Sequence, residues 1–203
     1  MDPPLPLYVV VRSQLPTTAL ETFISLVTRE VHTEYILLSR NAAQACVSYT
    51  IFVGGKVTME ITKESSLLSD NFKNVLIEVS PSEMEDVSCY FSRMVNKVGY
   101  NWFDSRCLLP LFRPSRDNVF VEDVDESMDP SKLGSVFCSQ MGVLALRNAL
   151  RAKGENGQLV EDLRNLNSRL TSPHTLYSVV KLYGHEVDGV ELSRLVDERK
   201  RMG

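Results

Sequence analysis

The sequence predicts an α+β domain in which an antiparallel sheet packs against a segregated set of helices. Three observations carry that reading. Runs rich in β-branched residues recur between residues 7 and 79. Apolar residues take three- and four-residue steps through most of the second half. The two patterns do not alternate along the chain as they would in a doubly wound parallel sheet. With 203 residues, 43% hydrophobic and 24% charged, the chain can bury one core. Compact units cluster near ~100–150 residues, so residues 1–203 read as a single domain. Its core spans 7–183, with a loop insertion near 113–135 and a helical tail over 184–203.

The elements follow in order. Residues 7–12 form a buried first strand that stops at Ser13-Gln14-Leu15-Pro16. Thr17 and Thr18 cap a helix over 18–30, whose stripe is Leu20, Phe23, Ile24, Val27 and Val31. Residues 36–38, 46–53 and 56–62 form a meander, with Gly54-Gly55 as a two-residue hairpin turn. A polar loop over 64–74 leads to a strand at 75–79. Ser80, Pro81 and Glu83 then form a capping box for a helix running to residue 97. Cys89 belongs to the packed apolar face of that helix. The acidic run 122–126 reads as a solvated loop. Residues 136–150 are the most apolar helical segment and carry Cys138 in the first turn. Shorter helices follow at 159–166 and 173–182, and the basic tail from Arg194 forms a last one.

Charge and cysteine usage narrow the function. A formal charge of −4 argues against a nucleic-acid binder, which needs surplus Lys and Arg to displace counterions. No apolar run reaches the ~20 residues of a transmembrane helix, and Met1-Asp2-Pro3-Pro4 lacks the order of a signal peptide. A reducing, intracellular and cytoplasmic setting is expected. Cys46, Cys89, Cys107 and Cys138 are scattered without zinc spacing, so no disulfide framework, metal or cofactor is expected. Cys138 stands apart because unpaired amides at a helix start favour a thiolate. His32, at the mouth of a strand, is a candidate base; His174 and His185, in loops that read as exposed, are its rivals. Spacing alone leaves the choice among them open.

Four segments resemble the circularly permuted branch of the NlpC-like, papain-related cysteine hydrolases, a group that includes lecithin:retinol acyltransferase-like and large-DNA-virus members. They are Tyr8-Val9-Val10-Val11-Arg12 with Thr28-Arg29-Glu30-Val31-His32-Thr33-Glu34-Tyr35-Ile36; the strand and helix start over 75–90; Tyr100-Asn101-Trp102 with Phe137-Cys138-Ser139-Gln140; and Thr171-Ser172-Pro173-His174-Thr175-Leu176-Tyr177. The resemblance implies a papain-like permuted fold with the sheet packed on the nucleophile-bearing helix. It implies Cys138 as nucleophile and His32 as general base, acting on an amide, peptide or ester through a thioester. The Cys138 amide and the Tyr100 hydroxyl would stabilise the oxyanion. The family places a polar third residue on the strand after the histidine. Here residues 46–52 offer no carboxylate, amide or imidazole, so Ser48 is the nearest match and Glu60 a remoter one. That departure keeps two alternatives open. One is a structural or interaction module such as a virion component, with a protein partner at the acidic 113–135 loop. The other is a lipid acyltransferase, against which no basic amphipathic anchor is evident.

Overall fold

The fold was analysed in a computed structural model, which describes residues 5–18, 32–39, 46–52, 54–101, 123–125, 127–150 and 156–202. Its strands are β1 (Leu7–Gln14), β2 (His32–Leu38), β3 (Val47–Thr50), β4 (Thr58–Ile61), β5 (Phe72–Val79), β6 (Gly99–Tyr100), β7 (Ser135–Val136) and β8 (His185–Val187). Its helices are α1 (Glu64–Leu67), α2 (Pro81–Met94), α3 (Cys138–Ala149), α4 (Gly157–Arg164), α5 (Pro173–Val180) and α6 (Gly189–Met202). The helix expected over 18–30, apart from its first residue, lies outside the described residues. So do Cys107, Trp102 and residues 113–122 and 126 of the insertion.

Six strands form one antiparallel sheet in the order β4-β3-β2-β1-β5-β8. Side chains of a strand alternate between faces, and the burial follows that alternation. Val9, Val11, Tyr35, Leu37, Tyr49, Val75 and Ile77 join the large core with α2, α3 and α5. Val10, Ile36, Leu38 and Leu76 meet Leu192 and Val196 of α6 on the other face. Both faces of β1 are therefore covered, which is why its sequence is a continuous apolar run rather than an alternating one. The α+β class with an antiparallel sheet is as the sequence predicts.

The local departures have identifiable causes. No two-residue hairpin forms at Gly54-Gly55: pairing resumes only with Thr58 opposite Thr50. The intervening backbone bonds elsewhere, with the Val57 amide donating to the Val98 carbonyl at 2.9 Å and the Tyr100 amide to Gly55 at 3.0 Å. Gly54 still supplies a left-handed residue, φ +77°. The 64–74 stretch, read as a loop, contains α1 and the first residues of β5. The capping box at Ser80 and Glu83 is present. Its helix stops at Met94 rather than at residue 97, because Asn96 takes a left-handed φ of 59°. Cys89 is exposed, not packed. The buried stripe runs through Met84, Val87, Phe91 and Met94, and two residues from Val87 or Phe91 is about half a turn away. His185 is not in a loop but in β8, paired with Leu76, and His174 lies in the first turn of α5.

Candidate active site

The start of α3 brings Cys138 together with the Tyr100 and Thr171 segments and with Tyr35 of β2. Phe137 enters extended, and the Gln140 side chain accepts from its amide at 3.4 Å. The parallel pair β6–β7 sets Tyr100 beside Val136, and the Asn101 amide donates to the Val136 carbonyl at 2.8 Å. On the other side, the buried Ser139 hydroxyl donates to the Thr171 carbonyl at 2.7 Å. Tyr35 of β2 donates its hydroxyl to the Cys138 carbonyl at 2.9 Å. Three segments distant in sequence thus meet within the first turn of one helix.

Cys138 itself is 4% exposed. Its sulfur faces the amide of Thr33, and the amides of Ser139 and Cys138 add to that field. The Thr33 hydroxyl is nearby, yet it has no well-aligned hydrogen bond. Amide donors pull the thiol pKa down, as expected at a helix start. Burial acts the other way and is the larger effect, lifting the pKa to about 11. The lowered pKa expected from position alone is therefore reversed by desolvation. At neutral pH the resting group is a thiol.

His32 opens β2. Its Nε2 lies 2.8 Å from the Thr50 hydroxyl, and its ring stacks on Phe52 with centroids 4.7 Å apart. The hydroxyl that meets the imidazole thus belongs to Thr50, not Ser48. Ser48 instead donates to the Glu60 carbonyl at 3.3 Å. The register explains this. Ile36 lies opposite Ser48 and Tyr35 opposite Tyr49, so the start of β2 reaches the end of β3, where Thr50 is. Strand alternation in the sequence puts Thr50 on the Ser48 face, and the register of β2 against β3 then selects between them. By the same alternation His32 falls with Glu34 and Ile36, while Thr33 falls with Tyr35 on the α3 face. Sulfur and imidazole are thus anchored at consecutive residues of β2, from faces of opposite parity.

Tyr100 is half-buried and packs against the main core. A cavity of about 470 Å³, lined by Thr50, Phe52, Glu34, Ser48 and Glu60 among others, opens on the Thr50 side of the sheet. The acidic run is only partly solvated. Asp125 is exposed, but the Asp123 carboxylate accepts from Arg147 at 2.7 Å and from the Ser168 amide at 3.0 Å. Burial would raise the Asp123 pKa, yet the Ser168 and Arg147 bonds outweigh it and hold the carboxyl below its ordinary value. Asp123 therefore pins the middle of the insertion to α3. No family model, no curated protein and no solved structure matches the chain.

One labelling result follows directly from these environments. Iodoacetamide at neutral pH should modify exposed Cys89 well before Cys138, and the Cys138 rate should climb with pH toward about 11. Peptide mass spectrometry over a pH series reads both; early labelling of Cys138 at neutral pH would mean that its burial is not maintained in solution.

Proposed function

We propose that this protein is a cysteine hydrolase with a permuted NlpC-like, papain-related fold, acting on an amide, peptide or ester. One observation carries the reading: the thiol at the head of α3 abuts β2 at Thr33, while the adjacent His32 is held by a hydroxyl from the next strand. Nucleophile, base and orienting group thus come from the helix start and two neighbouring strands, the order the sequence resemblance implies. The meeting of the Tyr100, Phe137 and Thr171 segments at the same turn supports it.

Thr50 engages Nε2, and the imidazole of His32 exchanges the proton. A thiol with a pKa near 11 does not wait as a thiolate. Its proton must leave as the sulfur attacks, so His32 acts as general base in that step. The sulfur forms a bond to the acyl carbon, the carbonyl electrons move to oxygen, and backbone amides of the first turn stabilise that oxyanion. Collapse expels the leaving group, which takes the proton from His32. Water, activated by the same imidazole, then resolves the thioester. Thr50 orients the ring, and Tyr100 is a second oxyanion donor.

The test is hydrolysis of an activated acyl ester and a peptide-like amide by the full chain. Cys138→Ala should abolish turnover and the acyl-enzyme mass adduct, and His32→Ala should slow it by about 10²–10⁴-fold. Thr50→Val should cost about 10-fold, in the range seen for groups that orient a histidine. Undiminished turnover by Cys138→Ala would overturn the assignment.

A second reading, a structural or interaction module without turnover, is favoured by two specific observations. The thiol is buried and protonated, and the strand parity sets the imidazole on the face away from α3. It expects no acyl adduct on wild-type protein, and an unchanged biological activity for Cys138→Ser.

A further inference from the structure

Tyr35 is the only wholly buried side chain that ties the strand bearing His32 to the backbone of the proposed nucleophile among the described residues. Its hydroxyl donates to the Cys138 carbonyl at 2.9 Å. The same hydroxyl lies against Gly142, where any Cβ would collide with the phenol, and the Gly142 amide lies beside it. Cys138 C=O and Gly142 N–H are residues i and i+4 of one helix, one rung after the Met141 amide closes the first turn on the Phe137 carbonyl at 3.0 Å. A phenol from a neighbouring strand therefore sits beside the second rung of the α3 ladder. The ring cannot drift, since it stacks on Phe91 at 5.2 Å and is 0% exposed.

The consequence concerns aim. A helix N-terminus frays because its first groups lack the ladder that fixes the interior. Holding the Cys138 carbonyl fixes the plane of the following peptide, and with it the Cα–Cβ direction of Cys138 and the Ser139 amide. The sulfur is then directed at the Thr33 amide, two residues upstream of Tyr35 on the same strand. Strand and helix share one clamp. We propose that Tyr35 is a positioning residue that locks the first turn of α3 and so fixes the Cys138 sulfur relative to the start of β2, where His32 sits. This rests on the hydrolase reading for its catalytic consequence, but the clamp itself is measurable without turnover.

The experiment is Tyr35→Phe in the full chain, with alkylation of Cys138 and of Cys46 followed together by mass spectrometry. Cys46 is also buried, but in the cluster on the opposite sheet face, so it reports global opening. Loss of the clamp should raise Cys138 labelling about fivefold relative to Cys46, the population shift that one buried hydrogen bond supports. Catalytic turnover should fall by about tenfold in kcat with KM little changed, because an interaction felt in positioning rather than in substrate binding is lost. Parallel increases at both cysteines, or no change at Cys138, would overturn the clamp. Absence of turnover in the wild type would sink the hydrolase reading while the ratio of the two labelling rates still decides on Tyr35. Should Tyr35→Phe fail to fold, Phe91→Leu, which removes the ring stacked on Tyr35, should give the same selective rise at Cys138 in weaker form.

Discussion

Arg12→Ala is expected to destabilise the fold by about 3–5 kcal/mol, the usual consequence of removing one partner from a buried ion pair. Arg12 is 0% exposed in the central strand, opposite Glu34 on β2 and Asn74 on β5. Its guanidinium pairs with Glu34, donates to the Asn74 side chain at 2.9 Å and to the Ser66 carbonyl at 2.8 Å, and lies 4.1 Å over the Phe72 ring. One side chain therefore satisfies acceptors from two strands and α1, and its loss orphans all of them. Glu34 gives the effect a pH signature. Burial raises the Glu34 pKa above its ordinary value, and the charge and hydrogen bonds of Arg12 oppose that rise. Without Arg12 the folded pKa climbs further. A carboxyl whose pKa is raised by folding contributes stability at acid pH and loses it as pH rises through the carboxylate range. The deficit of the variant should thus be larger near pH 7 than near about pH 4. Urea unfolding at both values checks it; equal deficits would mean that Glu34 is not the group Arg12 balances. Glu34→Gln in the Arg12→Ala background should remove most of the pH dependence.

How much of this was legible beforehand depended on whether a residue's fate was decided locally. The capping box at Ser80 and the strand start at Leu7 are set by short-range signals, and they stand where the pattern put them; the helix expected over 136–150 opens only at Cys138, because Ser135–Val136 pair with Gly99–Tyr100 as β7. Ser13 reads as the start of a stop signal after a strand ending at Arg12, yet β1 runs on to Gln14 and both residues are wholly buried, because β5 and β2 extend alongside and supply Asn74 and Glu34. Thr50 went unseen for the same reason. Which hydroxyl of β3 meets His32 depends on inter-strand register, which a single strand does not encode. Cys138 shows a different failure. Its position was legible, but the sign of its pKa shift was not, since the amides at a helix start are local and the desolvation that overrides them comes from packing of distant segments. Asp123 looked like one more charge in an acidic run until Arg147 and Ser168 came to it from elsewhere in the chain.

Gly142→Ala is the sharpest test of that packing, because helix propensity and core geometry predict opposite signs. In an exposed helix interior, Gly→Ala gains about 1 kcal/mol. At Gly142 the added Cβ would fall well inside 3.0 Å of the Tyr35 hydroxyl and ring carbons, a separation real Cβ atoms do not adopt. Far ends of flexible side chains can yield to such contacts, but this ring is flanked by Phe91 and carries a hydrogen bond to the Cys138 carbonyl. Either α3 backs away from β2 or the phenol leaves its site, and both break the junction that holds the first turn. Overpacking of this kind costs about 1–3 kcal/mol, at times more, so it outweighs the propensity gain. A net loss of about 2 kcal/mol is expected from urea unfolding. The cause is separable from any other effect of the substitution by relief: Tyr35→Val in the same chain removes the obstructing ring. The double variant should then lose less than the sum of the two single losses, by about 1 kcal/mol or more, as residues in direct contact do. Additive losses would place the strain somewhere other than between β2 and the head of α3.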